Sequence, residues 1–269
     1  MSRGLAHAKI NLALVVGPLR GDGKHEVVTV LQRLELHDDI ELEPATSLDV
    51  IGFADDTLVA AALRAVADAA EVSPAWSARI EKRIPVAAGL GGGSSDAATA
   101  LLLANAELAE PLPADALHAL AAGIGADVPF FLRDGTQLAT GDGTELRAIP
   151  LPLDYQVLLV LPRETAKEST RAVYERFDER HGERGFDHRC DALLAALAEA
   201  REPRDLSLLP RNDLASSPLS ERLEGLGAFR TDVSGAGPTV YGLFEDADAA
   251  AHAREALRTV GEMWLTRPV

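Results

Sequence analysis

Between Ala87 and Ala109 the chain reads AAGLGGGSSDAATALLLANAELA. Glycines at 89, 91, 92 and 93 and serines at 94 and 95 are pressed directly against a helical run rich in Ala and Leu. Glycine carries an entropic cost in ordered structure, so such a cluster marks backbone that approaches something closely or takes left-handed torsions. The preceding WSARIEKRIP alternates in polarity and reads as a strand. A strand, a glycine turn and a helix start together make an anion cradle. The first N–H groups of the helix point outward, and its dipole adds partial positive charge. Two familiar loops are excluded: no Gly-Lys-Ser/Thr is present, and the third glycine of G-x-G-x-x-G is a serine. A plain turn with Ser95 capping the helix suits two glycines better than this many beside two hydroxyls. Phosphate binding is the expectation.

That expectation meets an unfavourable global field. The formal net charge is −16 over 269 residues, which argues against nucleic acid or an anionic membrane as partner. Lysine occurs only at Lys9, Lys24, Lys82 and Lys167, so each is a candidate source of local positive charge. A single cysteine, Cys190, excludes an internal disulfide framework and a cysteine-based zinc site. No apolar run approaches the ~18–20 residues that span a bilayer, and the N-terminus shows no signal-peptide pattern. The expected location is cytoplasmic. The length suits one large domain or two ordinary ones.

Leu5 to Val16 alternates, with Ala6, Ala8, Ile10, Leu12 and Leu14 on one face and His7, Lys9 and Asn11 on the other, as in a strand. GPLRGDGKH is a turn, Val27 to Leu36 is ambiguous, and IELEP is a short strand. DDTLVAAALRAVADAA reads as a helix with Asp55 or Asp56 at its N-cap. Further helices are expected from about Asp96 to Ala109 and from Ala114 to Ala122. TQLATGDGTELRAIP reads as a hairpin, and a boundary is placed near residue 152 to give domains 1–152 and 153–269. In the second half, YQVLLVLP, AKESTRAVYERFDE, FRTDVSG, TVYGLF, DADAAAHAREALRTV and EMWLTRPV give β-α-β-β-α-β. That order is ferredoxin-like, with extra helices around Cys190–Ala200 and Pro218–Leu226. The last helix should bury Ala249, Ala253, Ala256, Leu257 and Val260.

Asp127, in GIGADVPFFL, stands between a glycine turn and an apolar run. A partly desolvated carboxylate there suits proton acceptance, and an N-cap with Pro129 in the first turn suits the pattern equally. Lys9 on the polar face of a strand is ordinarily solvated; a partner, which Asp127 could be, would make it catalytic. Ser234 to Pro238 is a second glycine turn, either a tight hairpin or a set of backbone donors facing the first loop. RNDL at 211–214 reads as a helix cap.

AKINLAL, IPVAAGLGGGSSDAA, GADVPFF, NDL and SGAGPTV occur in the order found in GHMP kinases, which the chain resembles over nearly its whole length. Within that superfamily it is most similar to the kinases acting on 4-diphosphocytidyl-2-C-methyl-D-erythritol. The Gly-Gly-Gly-Ser-Ser-Asp and Gly-Ala-Asp-Val-Pro-Phe-Phe segments carry that similarity. The resemblance implies a two-domain α+β fold, with an N-terminal ribosomal-protein-like α/β domain and a ferredoxin-like C-terminal domain. It implies transfer of the γ-phosphoryl of ATP, with Mg²⁺, to the 2-hydroxyl of a substrate carrying a cytidine diphosphate moiety, in non-mevalonate isoprenoid biosynthesis. Asp127 is then the catalytic base and Lys9 its partner. Pro85, Val86, Ala87, Ala88, Gly89, Leu90, Gly91, Gly92, Gly93, Ser94 and Ser95 form the ATP phosphate loop. His25 bonds the cytosine edge, Asn11 helps place the substrate, and Tyr174 stands where the family often has a stacking aromatic. No metal ligand is assigned. The chain departs from the family at Asp22-Gly23-Lys24-His25, where an aromatic ring usually precedes the histidine. Lys24 offers only its stem and its ammonium at that position of the substrate site. A GHMP kinase for homoserine or mevalonate, or a nucleotide-binding homologue without catalysis, are the competing readings. Lys24 favours the first, while His25, the triple glycine and the short length weigh against it; the presence of both Lys9 and Asp127 weighs against the second.

Overall fold

The computed structural model describes residues 1–53, 57–163 and 169–269. Contacts group the chain into two compact units. The first comprises Met1–Ala8, Leu36–Ala87 and Gly91–Asp134, and the second Lys9–Glu35, Ala88–Leu90 and Gly135–Val269. A boundary near residue 152 falls inside the second unit, between its hairpin and its four-stranded sheet.

Two long strands run through both units: β1 (Ser2–Leu19) and β2 (His25–Pro44). In the first unit the C-terminal half of β2 pairs antiparallel with β4 (Trp76–Glu81), which carries the short parallel β3 (Asp49–Ile51). Helices α1 (Leu58–Ala69), α2 (Gly92–Glu107), α3 (Ala114–Ile124) and α4 (Val128–Phe131) complete this unit. Small side chains let α2 be buried on several sides, at Ala97, Ala98, Ala100, Leu101 and Ala104. The α1 N-cap is Thr57, without a side-chain bond; Asp55 and Asp56, expected there, lie outside the described residues.

In the second unit the N-terminal half of β2 pairs with β5 (Gln137–Thr140), which pairs with β6 (Glu145–Ala148) across the expected Gly-Asp-Gly turn. The rest of this unit contains β7 (Gln156–Pro162), α5 (Thr170–Glu179), α6 (Phe186–Glu199), a 3-10 turn (Pro203–Leu208) and α7 (Leu219–Gly225). It closes with β8 (Arg230–Val233), β9 (Val240–Phe244), α8 (Ala247–Ala256) and β10 (Gly261–Thr266). The strands order β10-β7-β9-β8, every neighbour antiparallel, which is the ferredoxin-like arrangement. Its core joins Leu158, Val160, Leu223, Val240, Phe244 and Leu257. On α8, Ala250 and Ala253 face that core while Ala256 is exposed, a rotation of the expected face toward the sheet. No described helix is long and apolar enough to cross a membrane.

Candidate active site

Helix α2 begins at Gly92, four residues before its expected start, and takes Gly92, Gly93, Ser94 and Ser95 into its first turn. Its N-cap is Gly91 at φ +71°, with no side-chain cap bond, so Ser95 does not cap it. Ser95 N–H already bonds the Gly91 carbonyl (2.9 Å), which leaves the N–H groups of Gly92, Gly93 and Ser94 with neither an intrahelical acceptor nor a capping side chain, the arrangement that binds anions. Ala87 (φ 54°), Gly89 (φ 80°) and Gly91 give the turn three left-handed residues in five. A Cβ on Gly89 would lie 2.3 Å from the Ser234 carbonyl oxygen, so only glycine fits. Within the second unit the carbonyls of Ala88, Gly89 and Leu90 accept from Thr239 N (3.3 Å), Ser234 Oγ (2.9 Å) and Lys9 N (2.9 Å). Protein donors thus take the turn's carbonyls. The second glycine turn is a tight hairpin between β8 and β9, Ser234 N donating to the Thr239 carbonyl (2.9 Å), and it meets the first turn through the Ser234 hydroxyl.

Lys9 and Asn11 are buried, at 3% and 4% exposure, where the sequence suggested a solvated face. Both faces of β1 are covered from Ala8 to Val16. Lys9 Nζ donates to Asn11 Oδ1 (2.8 Å), Asn11 Nδ2 to Thr29 Oγ1 (2.9 Å), and Thr29 Oγ1 to the Ala13 carbonyl (2.7 Å). Gly235 closes on this pair: a Cβ there would lie 3.5 Å from Asn11 Oδ1 and 3.6 Å from both Lys9 Nζ and the Gly89 carbonyl oxygen. Lys9, Asn11 and the loop residue Gly89 are therefore brought together. An acceptor lost inside such a buried chain costs about 1–3 kcal/mol, so its members hold one another in place.

RNDL is not a helix cap, since α7 starts beyond it with Pro218 at its N-cap. Asn212 Nδ2 instead donates to the carbonyls of Val233 (2.8 Å) and Gly235 (2.6 Å), buttressing the second glycine turn. Two further residues had no signal in the sequence. Tyr241 Oη donates to the Asn11 carbonyl (3.0 Å), and Arg230 to the carbonyls of Leu12, Leu209 and Pro210. They fix the backbone of β1 where it carries the buried pair.

Asp127 is half-buried, at the N-cap position of α4 with Pro129 in the first turn, yet its carboxylate makes no cap bond. It belongs to the first unit and Lys9 to the second.

His25 stacks on Tyr174, with centroids 5.0 Å apart and planes at 28°, and meets the edge of Phe177 at 5.8 Å. Phe177 and Val173 anchor α5 in a cluster with Leu14, Val16 and Val27, which sets Tyr174 over the ring. His25 Nδ1 lies 2.9 Å from the Gly17 carbonyl, which can only accept, so Nδ1 carries the hydrogen. Nε2 lies 3.4 Å from Asp178 Oδ1. Lys24 points its ammonium at Asp142 Oδ2, 2.5 Å away. Burial raises the Asp142 carboxyl, but bonds from Lys24 and Thr144 outweigh it and hold the group down at about 2.

Residues 57–135 match the family model described as the GHMP kinases N terminal domain, and residues 193–262 that described as GHMP kinases C terminal. A 4-diphosphocytidyl-2-C-methyl-D-erythritol kinase of Chlorobaculum parvum is 37% identical over 274 residues, covering 94% of this chain and 92% of its own. The protein of that name from Nocardia farcinica is 38% identical over 276 residues, covering 95% and 89%. A crystal structure of 4-(cytidine 5'-diphospho)-2C-methyl-D-erythritol kinase superposes with a TM-score of 0.81 at 33% identity, over 99% of both chains. The mevalonate kinase of Methanococcus jannaschii shares the fold, with a TM-score of 0.77 at 15% identity. The fold is that of a GHMP kinase, an ATP-dependent small-molecule kinase built from two α+β domains. Within that class the chain belongs to the 4-diphosphocytidyl-2-C-methyl-D-erythritol kinase family.

Proposed function

We propose that this enzyme transfers the γ-phosphoryl group of ATP to the 2-hydroxyl of 4-diphosphocytidyl-2-C-methyl-D-erythritol, a step of non-mevalonate isoprenoid biosynthesis in the cytoplasm. The observation that carries the reading is the buried Lys9–Asn11 pair closed over by the two glycine turns. Phosphoryl transfer asks mainly for positioning and for charge neutralisation at the oxygens of the moving group. Residues 85–95 and the start of α2 supply amides to the triphosphate. Asp127 accepts the proton of the substrate hydroxyl. Lys9 stabilises the charge that develops on that oxygen, and Asn11 holds Lys9 and the substrate in register.

His25 and Tyr174 receive the cytosine. His25, its Nδ1 hydrogen committed to the Gly17 carbonyl, meets the cytosine edge through Nε2, while Tyr174 offers a ring face. The stem of Lys24, anchored by Asp142, takes the second face. Mg²⁺ takes oxygen ligands, largely phosphate and water, and the half-buried Ser94 hydroxyl at the start of α2 is a donor of that kind. Ser94 would hold the ion against the triphosphate, and the bound ion would supply further charge neutralisation.

The test is ³¹P NMR of the product formed from ATP and the diphosphocytidyl substrate. The reading requires ADP and a new phosphomonoester on the 2-hydroxyl, with the diphosphate intact. A product phosphorylated elsewhere, or none, would overturn it.

A further inference from the structure

Lys82 has no part in the roles above. In the first unit its Nζ donates to Asp38 Oδ2 (2.5 Å) and to Asp96 Oδ2 (2.7 Å), both carboxylates being almost wholly buried. The other oxygen of Asp38 accepts the backbone N–H groups of Arg83 (2.5 Å) and Ile84 (2.8 Å). Asp38 stands on β2, Lys82 just beyond the end of β4, and Asp96 on the first turns of α2. Gly92 leaves room for the arrangement, since a Cβ there would sit 3.0 Å from Ile84 Cγ2 and 3.3 Å from Lys82 Nζ. One ammonium thus ties the chain entering the glycine loop to the helix leaving it.

We propose that Asp38, Lys82 and Asp96 form a positioning triad for the phosphate loop, fixing the geometry of its two ends and thereby its affinity for the nucleotide. This rests on the reading of residues 85–95 as the ATP phosphate loop. Two carboxylates share one cation, and among the described residues Asp96 Oδ1 is buried without a hydrogen-bond partner. Without the Lys82 ammonium both carboxylates would stand buried beside the loop with no cation between them, so Lys82 is what lets the two ends of the loop meet.

The experiment is equilibrium binding of ADP with Mg²⁺ at one fixed pH, with steady-state kinetics in ATP, for wild type, Asp96→Asn, Lys82→Met and Lys82→Arg. Asp96→Asn, which keeps the shape of the side chain but weakens its tie to Lys82, should raise Kd about threefold. Lys82→Met should raise Kd and the KM for ATP about tenfold, with kcat at saturation within about threefold of wild type. Lys82→Arg should recover part of the loss. An Asp96→Asn variant that binds ADP as wild type does would overturn the proposal, and this variant decides the matter if Lys82→Met does not fold. A fall in kcat with Kd unchanged would also overturn it, since that marks action on the reacting groups. A wild-type protein that binds no ADP would remove the loop reading and the triad together, an outcome distinct from binding that the variants leave unaltered.

Discussion

Asp127 and Lys24 carry the sharpest expectations for single residues. Asp127→Asn keeps the size and most of the polarity of the side chain but removes its basicity. It should retain ADP affinity and lower kcat by about 10²–10⁴-fold, the usual contribution of a positioned base. Near-normal turnover would remove Asp127 from the chemistry. Lys24→Tyr should lower the KM of the cytidine substrate, since a base–aromatic stack contributes about 1–3 kcal/mol. An unchanged or higher KM would mean that the Lys24–Asp142 pair is itself an adapted contact. Residue roles are only partly legible in the sequence. Alternation along β1 puts Lys9 and Asn11 on one face, yet nothing in a strand pattern says whether a second layer covers that face. The chain at 88–90 and 235 does so, from far along the sequence. The His25–Tyr174 stack depends on where α5 docks, which local pattern does not encode.

At the scale of elements, the junction of β4, the loop and α2 makes a claim of its own about pH. Folded Asp96 titrates at about 7, above its ordinary 3.8, so the folded state holds a proton that the unfolded chain has released. Its contribution to stability is therefore full below about pH 4 and is lost as pH rises through about 7. Asp96→Asn does not ionise, so denaturant titrations should show it gaining stability relative to wild type between about pH 5 and about pH 8. A constant difference across that range would contradict the assignment. The early start of α2 is hidden in the sequence because Gly and Ser have low helix propensity, and burial against α1 overrides it. β2 reads as two pieces because His37, Asp38 and Asp39 interrupt its apolar pattern. They are accommodated by Arg3, Lys82 and Arg83, an ionic solution invisible to periodicity. The ferredoxin-like order is fully legible, because each of its strands is short and bounded by clear breakers.

For the whole molecule, the net charge of −16 opposes two polyanionic substrates, while helix N-termini, loop amides and a few buried cations attract them at short range. Salt screens the distant repulsion more than the close contacts. Association rates for ATP should therefore rise between about 50 and about 200 mM salt in stopped-flow binding; a fall would mean that the field at the site is positive from afar. The central claim concerns the acceptor, and it is tested most directly by a coupled ADP-release assay comparing the diphosphocytidyl substrate, homoserine and mevalonate under identical conditions. The account requires kcat/KM to be confined to the first. Comparable turnover of homoserine or mevalonate, with the diphosphocytidyl compound inert, would contradict it.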